Sequence, residues 1–182
     1  MLRRFPNLRL IIASGLTALL TALLTGAPAV ASPPPAVSSL PDGITIEGRV
    51  EISAPADAVI SLVRDPVRTL AASGSNARIT AGAQQGSCAL FTWTVPNPIL
   101  NVSWEGKHCR TAAGGETTLV RSDSIKAHRA SFVVQTVSPT QSRLVYQVMT
   151  VPHAPIPSAI IRRQTEKEVT SFLTHLQAHL ER

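Results

Sequence analysis

Histidines, cysteines and one pair of opposite charges are the residues whose types and spacing could do chemistry. His175 and His179 lie four apart in a helical pattern, a spacing that can place two imidazoles on one zinc ion. No glutamate stands beside them in the His-Glu-x-x-His sense and no third ligand is evident. A solvated helix face is the simpler reading, and no metal is expected. His108, His128 and His153 are each isolated in the sequence. Any of them could serve as a general base at a cavity mouth, but one histidine is not a mechanism. There is no Gly-x-Ser-x-Gly elbow and no phosphate-binding glycine loop, so neither a nucleophile nor a cofactor is indicated. Cys88 and Cys109 lack Cys-x-x-Cys spacing, which disfavours a redox or zinc site. In an oxidising compartment they form a disulfide by default. Arg121 and Asp123 share one strand face with Leu119 and Ile125. A charged pair among apolar neighbours could point into a cavity and anchor a polar head group, although unpaired burial is expensive. The alternative is an outward face with both charges solvated.

The elements that must position these groups can be read from periodicity. Cys88 to Val95 and Val102 to Cys109 are strand-like and flank Pro96 to Asn101. A hairpin centred on that turn sets Val95 opposite Val102, Trp93 opposite Trp104 and Cys88 opposite Cys109. One register thus pairs both tryptophans and both cysteines, which is internal support for hairpin and disulfide together. Phe91, Trp93, Val95, Val102, Trp104 and Gly106 then share the inward face, and the disulfide lies on the outer one.

Ile44, Ile46, Val50 and Ile52 alternate with polar residues as a half-buried strand. It stops at Ala54-Pro55, after which Val59, Ile60 and Val63 mark a short helix ending near Asp65-Pro66. Val67 to Ala72 can add one or two turns before Gly74 breaks the chain. Gly114-Gly115 reads as a turn. Strands are expected over 117–126, 130–138 and 143–151, joined at residues 127–129 and 139–141. From Ile161, Thr165, Val169, Phe172, Leu173, Leu176 and Leu180 recur at three- and four-residue spacing, so Pro157 to Arg182 is a long helix with one apolar stripe. Pro157 suits its first turn. A lone long helix after a run of strands lies across one face of a curved antiparallel sheet.

The chain has 182 residues and a formal charge of +6. Arg3, Arg4 and Arg9 precede the apolar run Leu10 to Leu24, and Ala29-Val30-Ala31 is a small-x-small cleavage site. Residues 1–31 are therefore expected to be a signal peptide, the alternative being an uncleaved anchor. Export to the periplasm or the extracellular space follows, with no membrane span after cleavage. Residues 32–41, rich in proline, read as a flexible N-terminus, and residues 42–182 as one domain. Loss of the three signal arginines lowers the charge from +6 to +3. The remaining basic residues are scattered without aromatic interleaving, which disfavours nucleic acid as a partner.

The order of elements, with Ile44 to Asp65 (ITIEGRVEISAPADAVISLVRD), the downstream strands and the Pro155-Ile-Pro entry to the last helix, resembles the START/SRPBCC helix-grip superfamily. The likeness covers essentially all of the chain after residue 41. One departure is Val59-Ile60 in the first helix, where that superfamily often has an aromatic residue. The resemblance implies an α+β fold in which a curved sheet of about seven strands grips the closing helix around an apolar cavity. Phe91, Trp93, Trp104, Tyr146, Val148, Phe172 and Leu176 would line it, with Arg121 and Asp123 as polar anchors. The function so implied is binding or transfer of a hydrophobic small molecule or lipid by a monomeric protein. A cyclase-like enzyme acting in the same cavity, and an interaction protein whose core is filled, are the alternatives.

Overall fold

The computed structural model describes residues 33–40, 42, 44–96 and 102–182. The expected signal peptide and the turn residues 97–101 lie outside these. Alternation in TIEGRVEI makes β2 (Thr45–Ile52), whose Ile46, Val50 and Ile52 are buried. At its end Pro55 caps α1 (Ala56–Val63), and Asp57 sits in the first turn. Asp65 then caps α2 (Pro66–Ala72), accepting hydrogen bonds from the backbone N–H groups of Val67 and Arg68 at 3.0 and 3.1 Å. Pro66 enters the first turn, where its missing N–H has no helical partner.

Six strands follow: β3 (Arg78–Gln85), β4 (Cys88–Val95), β5 (Val102–Thr111), β6 (Gly114–Ser122), β7 (Ile125–Ser138) and β8 (Gln141–Pro152). With β1 (Ala36–Ser39) they form one antiparallel sheet in the order β1-β2-β8-β7-β6-β5-β4-β3. The last helix, α3 (Ser158–Leu180), is capped by Pro157 and packs Val169, Leu173 and Leu176 against β2 and β1. This is the helix-grip architecture.

The β4–β5 register is the expected one: Cys88 faces Cys109, Trp93 faces Trp104 and Val95 faces Val102. Cys88 and Cys109 are bonded, closing a separation of 21 residues. By the chain-entropy model a loop of this size stabilises by roughly 3 kcal/mol.

Four boundaries differ from the sequence expectation. The proline-rich N-terminal segment contributes β1, which pairs with β2 from Ala36↔Arg49 to Ser39↔Ile46. It is held to α3 as well: Ser39 Oγ donates to Glu166 Oε1 at 3.1 Å, and Gln177 Nε2 donates to the Pro33 carbonyl at 3.3 Å. β3 is an edge strand that buries almost nothing, so it shows no alternation. Gly114 and Gly115 open β6, the turn falling on Ala112-Ala113. Residues 127–129 are inside β7 rather than a connection, because the break between β6 and β7 falls at Asp123-Ser124, where Ser122 Oγ accepts from Ser124 and Ile125 N–H at 3.1 and 3.2 Å.

Candidate functional site

Cross-strand register assembles a row of aromatic rings on the inward face. Trp93 and Trp104, opposite each other on β4 and β5, stack with centroids 4.3 Å apart and planes 5° from parallel. His128 of β7 lies against Trp104 at 4.4 Å. Phe132 and Tyr146, opposite each other on β7 and β8, stack at 4.6 Å, and Phe172 of α3 lies 5.0 Å from Tyr146. These rings, with Pro66, Thr69 and Leu70 of α2 and His108, Thr117 and Ala130 of the sheet, line a half-open cavity of about 170 Å³.

Its polar groups are few. His108 Nδ1 is 2.9 Å from Thr117 Oγ1, and His128 Nδ1 is 2.9 Å from Thr150 Oγ1. Each histidine stands directly opposite its threonine in the sheet register. His108 is 3% exposed, and its Nε2 has no well-aligned hydrogen-bond partner among the described residues. Burial lowers the pKa of His108, opposed in part by the Arg64 backbone carbonyl. Burial pushes His128 further, to about 4. Both imidazoles are neutral at neutral pH. Burial, and then the negative charge of Glu168, raise the Tyr146 hydroxyl pKa, so it stays protonated. Thr69 spends its hydroxyl on the Leu62 carbonyl at 2.8 Å. Among the described residues, no Asp, Glu, Lys or Arg lines the cavity.

Of the residues singled out from the sequence, Trp93, Trp104, Tyr146 and Phe172 come together on this cavity. Phe91 is buried beside it, 5.6 Å from Trp93 and 6.4 Å from His108. Val148 and Leu176 are 6% and 0% exposed and belong to the packed core instead. Arg121 and Asp123 do not reach the cavity. Both are exposed, and Arg121 pairs with Glu105 on the outer surface at 2.8 Å. Their expected inward parity fails because the register shifts between Glu105 and Gly106, and the strand ends at Ser122. His175 and His179 are exposed on α3, and no group of three metal-ligating side chains occurs among the described residues. His153 does not line the cavity.

The lining residues not singled out as a set are His108, Thr117, His128, Ala130, Phe132 and the α2 residues. A signal existed for part of it. Centring the β7–β8 turn on residue 139 places Phe132 opposite Tyr146 and His128 opposite Thr150, by the same arithmetic that works for the tryptophan hairpin.

No family model matches the sequence, and no curated protein does. Solved structures do match in fold. A START superfamily protein from Mycobacterium smegmatis superposes with a TM-score of 0.66 at 14% identity, over 76% of this chain and 97% of that one. A STAR-related lipid transfer protein from Xanthomonas axonopodis gives 0.62 at 15% identity, over 82% of this chain and all of that fragment (100%). An aromatase/cyclase from Streptomyces sp. R1128 gives 0.61 at 15%, over 75% and 90%. The protein therefore has the START/SRPBCC-like helix-grip fold.

Proposed function

We propose that the protein binds a small hydrophobic molecule in the aromatic-walled cavity, as a carrier acting outside the cytoplasm. The observation that carries this reading is the pocket itself: a half-open space of about 170 Å³ walled by stacked rings, where a filled core would leave none. Dry apolar cavities of roughly 150 Å³ hold a molecule the size of benzene. Drug-sized pockets start near ~300 Å³. The occupant is thus a compact molecule or the end of a chain, and a whole diacyl lipid exceeds the space. The lipid-transfer and cyclase proteins of the same fold support a hydrophobic ligand. The disulfide and the sequence of residues 1–31 support export.

A cyclase-like enzyme is the second reading, because two neutral histidines line the same cavity. Native mass spectrometry of the purified protein, followed by organic extraction, separates these readings. A bound apolar compound recovered unchanged after prolonged incubation supports the carrier. Conversion of the extracted compound on incubation with fresh protein supports the enzyme. A clean unliganded mass, with no thermal shift across a panel of compact hydrophobic compounds, would sink both.

A further inference from the structure

We propose that the pairs His108–Thr117 and His128–Thr150 form the polar anchor of the cavity and select a neutral ligand bearing a hydroxyl on a ring-sized apolar body. This rests on the binding function proposed above and specifies what is bound.

Both histidines line the cavity, and both have Nδ1 held at 2.9 Å by the threonine hydroxyl opposite. Among the described residues His128 Nε2 makes no hydrogen bond, and the buried His108 Nε2 makes none of good geometry, although the Arg64 backbone carbonyl is close enough to the ring to favour its protonated form. A buried polar atom without a well-aligned partner disfavours the empty state. A threonine hydroxyl can turn to donate or to accept, so either imidazole tautomer is available and Nε2 can accept or donate in turn. A ligand hydroxyl, itself donor and acceptor, satisfies such a nitrogen whichever tautomer is present. A pure hydrocarbon leaves it unpaired.

A carboxylate fits worse. Among the described residues no cation lines the cavity, the imidazoles carry no charge at neutral pH, and Glu168 adds a negative field at Tyr146. The stacked pairs Trp93–Trp104 and Phe132–Tyr146 present flat faces suited to a planar ring.

The test is a titration of the disulfide-bonded protein with p-cresol, toluene and p-toluate, read by NMR from the indole N–H signals of Trp93 and Trp104. We expect p-cresol to bind roughly five-fold tighter than toluene, the worth of one net hydrogen bond, and p-toluate to bind weakest. In His128→Phe the preference for p-cresol over toluene should shrink while toluene binding persists. Equal affinity of the wild-type protein for p-cresol and toluene would overturn the anchor and leave the apolar-ligand reading standing. Tightest binding of p-toluate would overturn it too. No response to any of the three would overturn both. The wild-type series decides the matter even if the variant does not fold.

Discussion

The inward face of the sheet is built of two different materials. Where α3 lies on β2, beside β8 in the sheet, the side chains are aliphatic: Ile46, Val50, Ile52, Leu144, Leu173 and Leu176 are all 2% exposed or less. Across β4, β5 and β7 the same face carries rings, and a cavity remains between them and α2. A glycine serves each region differently. A Cβ on Gly48 would lie 2.5 Å from Leu173 Cδ1 and 2.6 Å from Val169 Cγ1, so its absence lets the helix descend onto β2. A Cβ on Gly106 would lie 2.5 Å from Trp104 Cζ3 and 2.9 Å from Trp93 Cζ3, so its absence lets the indoles lie flat on the sheet. Branched aliphatic groups interdigitate and fill space. Flat rings stack in pairs, and the wedge left between the pairs is the cavity.

The sharpest way to break this comparison uses two neighbours on α3. Leu173→Ala removes a side chain with 0% exposure from the filled region and should cost about 2–5 kcal/mol in chemical denaturation. Phe172→Ala removes a larger side chain, but one that borders existing space and is only partly buried. Its loss should be less than half that of Leu173→Ala, although phenylalanine normally loses at least as much. Equal losses would mean that the aromatic region is packed as tightly as the aliphatic one.

Acid should act on the ring-lined region. Burial holds His128 near pKa 4 when folded, against about 6.5 when unfolded. Between these values the unfolded chain binds more protons, so stability falls as pH drops through 6.5 towards 4, and the penalty is complete below 4. At pH 5 the loss should be on the order of 2 kcal/mol relative to pH 7. His108, also depressed, adds in the same direction. Denaturation at both pH values should show a smaller difference for His128→Phe than for the wild type. Leu173→Ala should keep the wild-type difference. A wild-type protein equally stable at pH 5 and 7 would show that these histidines are not desolvated.

How much of this was legible in the sequence differs between the regions for a physical reason. The aliphatic region follows from periodicity: alternation in β2 and the stripe of α3 both mark the residues that are buried. The disulfide-bearing hairpin was legible because two rare residue types occur in matching positions. The cavity was only half legible. His128 stands between Lys126 and Arg129, so its stretch looks like a connection, yet β7 runs unbroken through it in the same register as Phe132, which puts it on the inward face. Among the described residues the edge strands β1 and β3 pair on one side only and bury no residue fully, so no apolar period betrays them. Leu70 and Thr69 reach the cavity because α2 is folded back onto the rings, and nothing local encodes that placement.

The smallest expected effect belongs to the pair that looked most like a ligand anchor. Arg121 joins Glu105 across β6 and β5 at 2.8 Å, but its side chain is 82% exposed. Water and salt screen such a pair, and exposed ion pairs contribute at most about 1 kcal/mol. Arg121→Ala should therefore change stability by less than about 0.5 kcal/mol, as surface substitutions usually do. It should also leave the p-cresol and toluene affinities unchanged, because the residue stands on the opposite face from the rings. A drop in p-cresol affinity in Arg121→Ala would place a charge at the cavity after all, and the division between a charged exterior and a neutral, ring-lined interior would no longer hold.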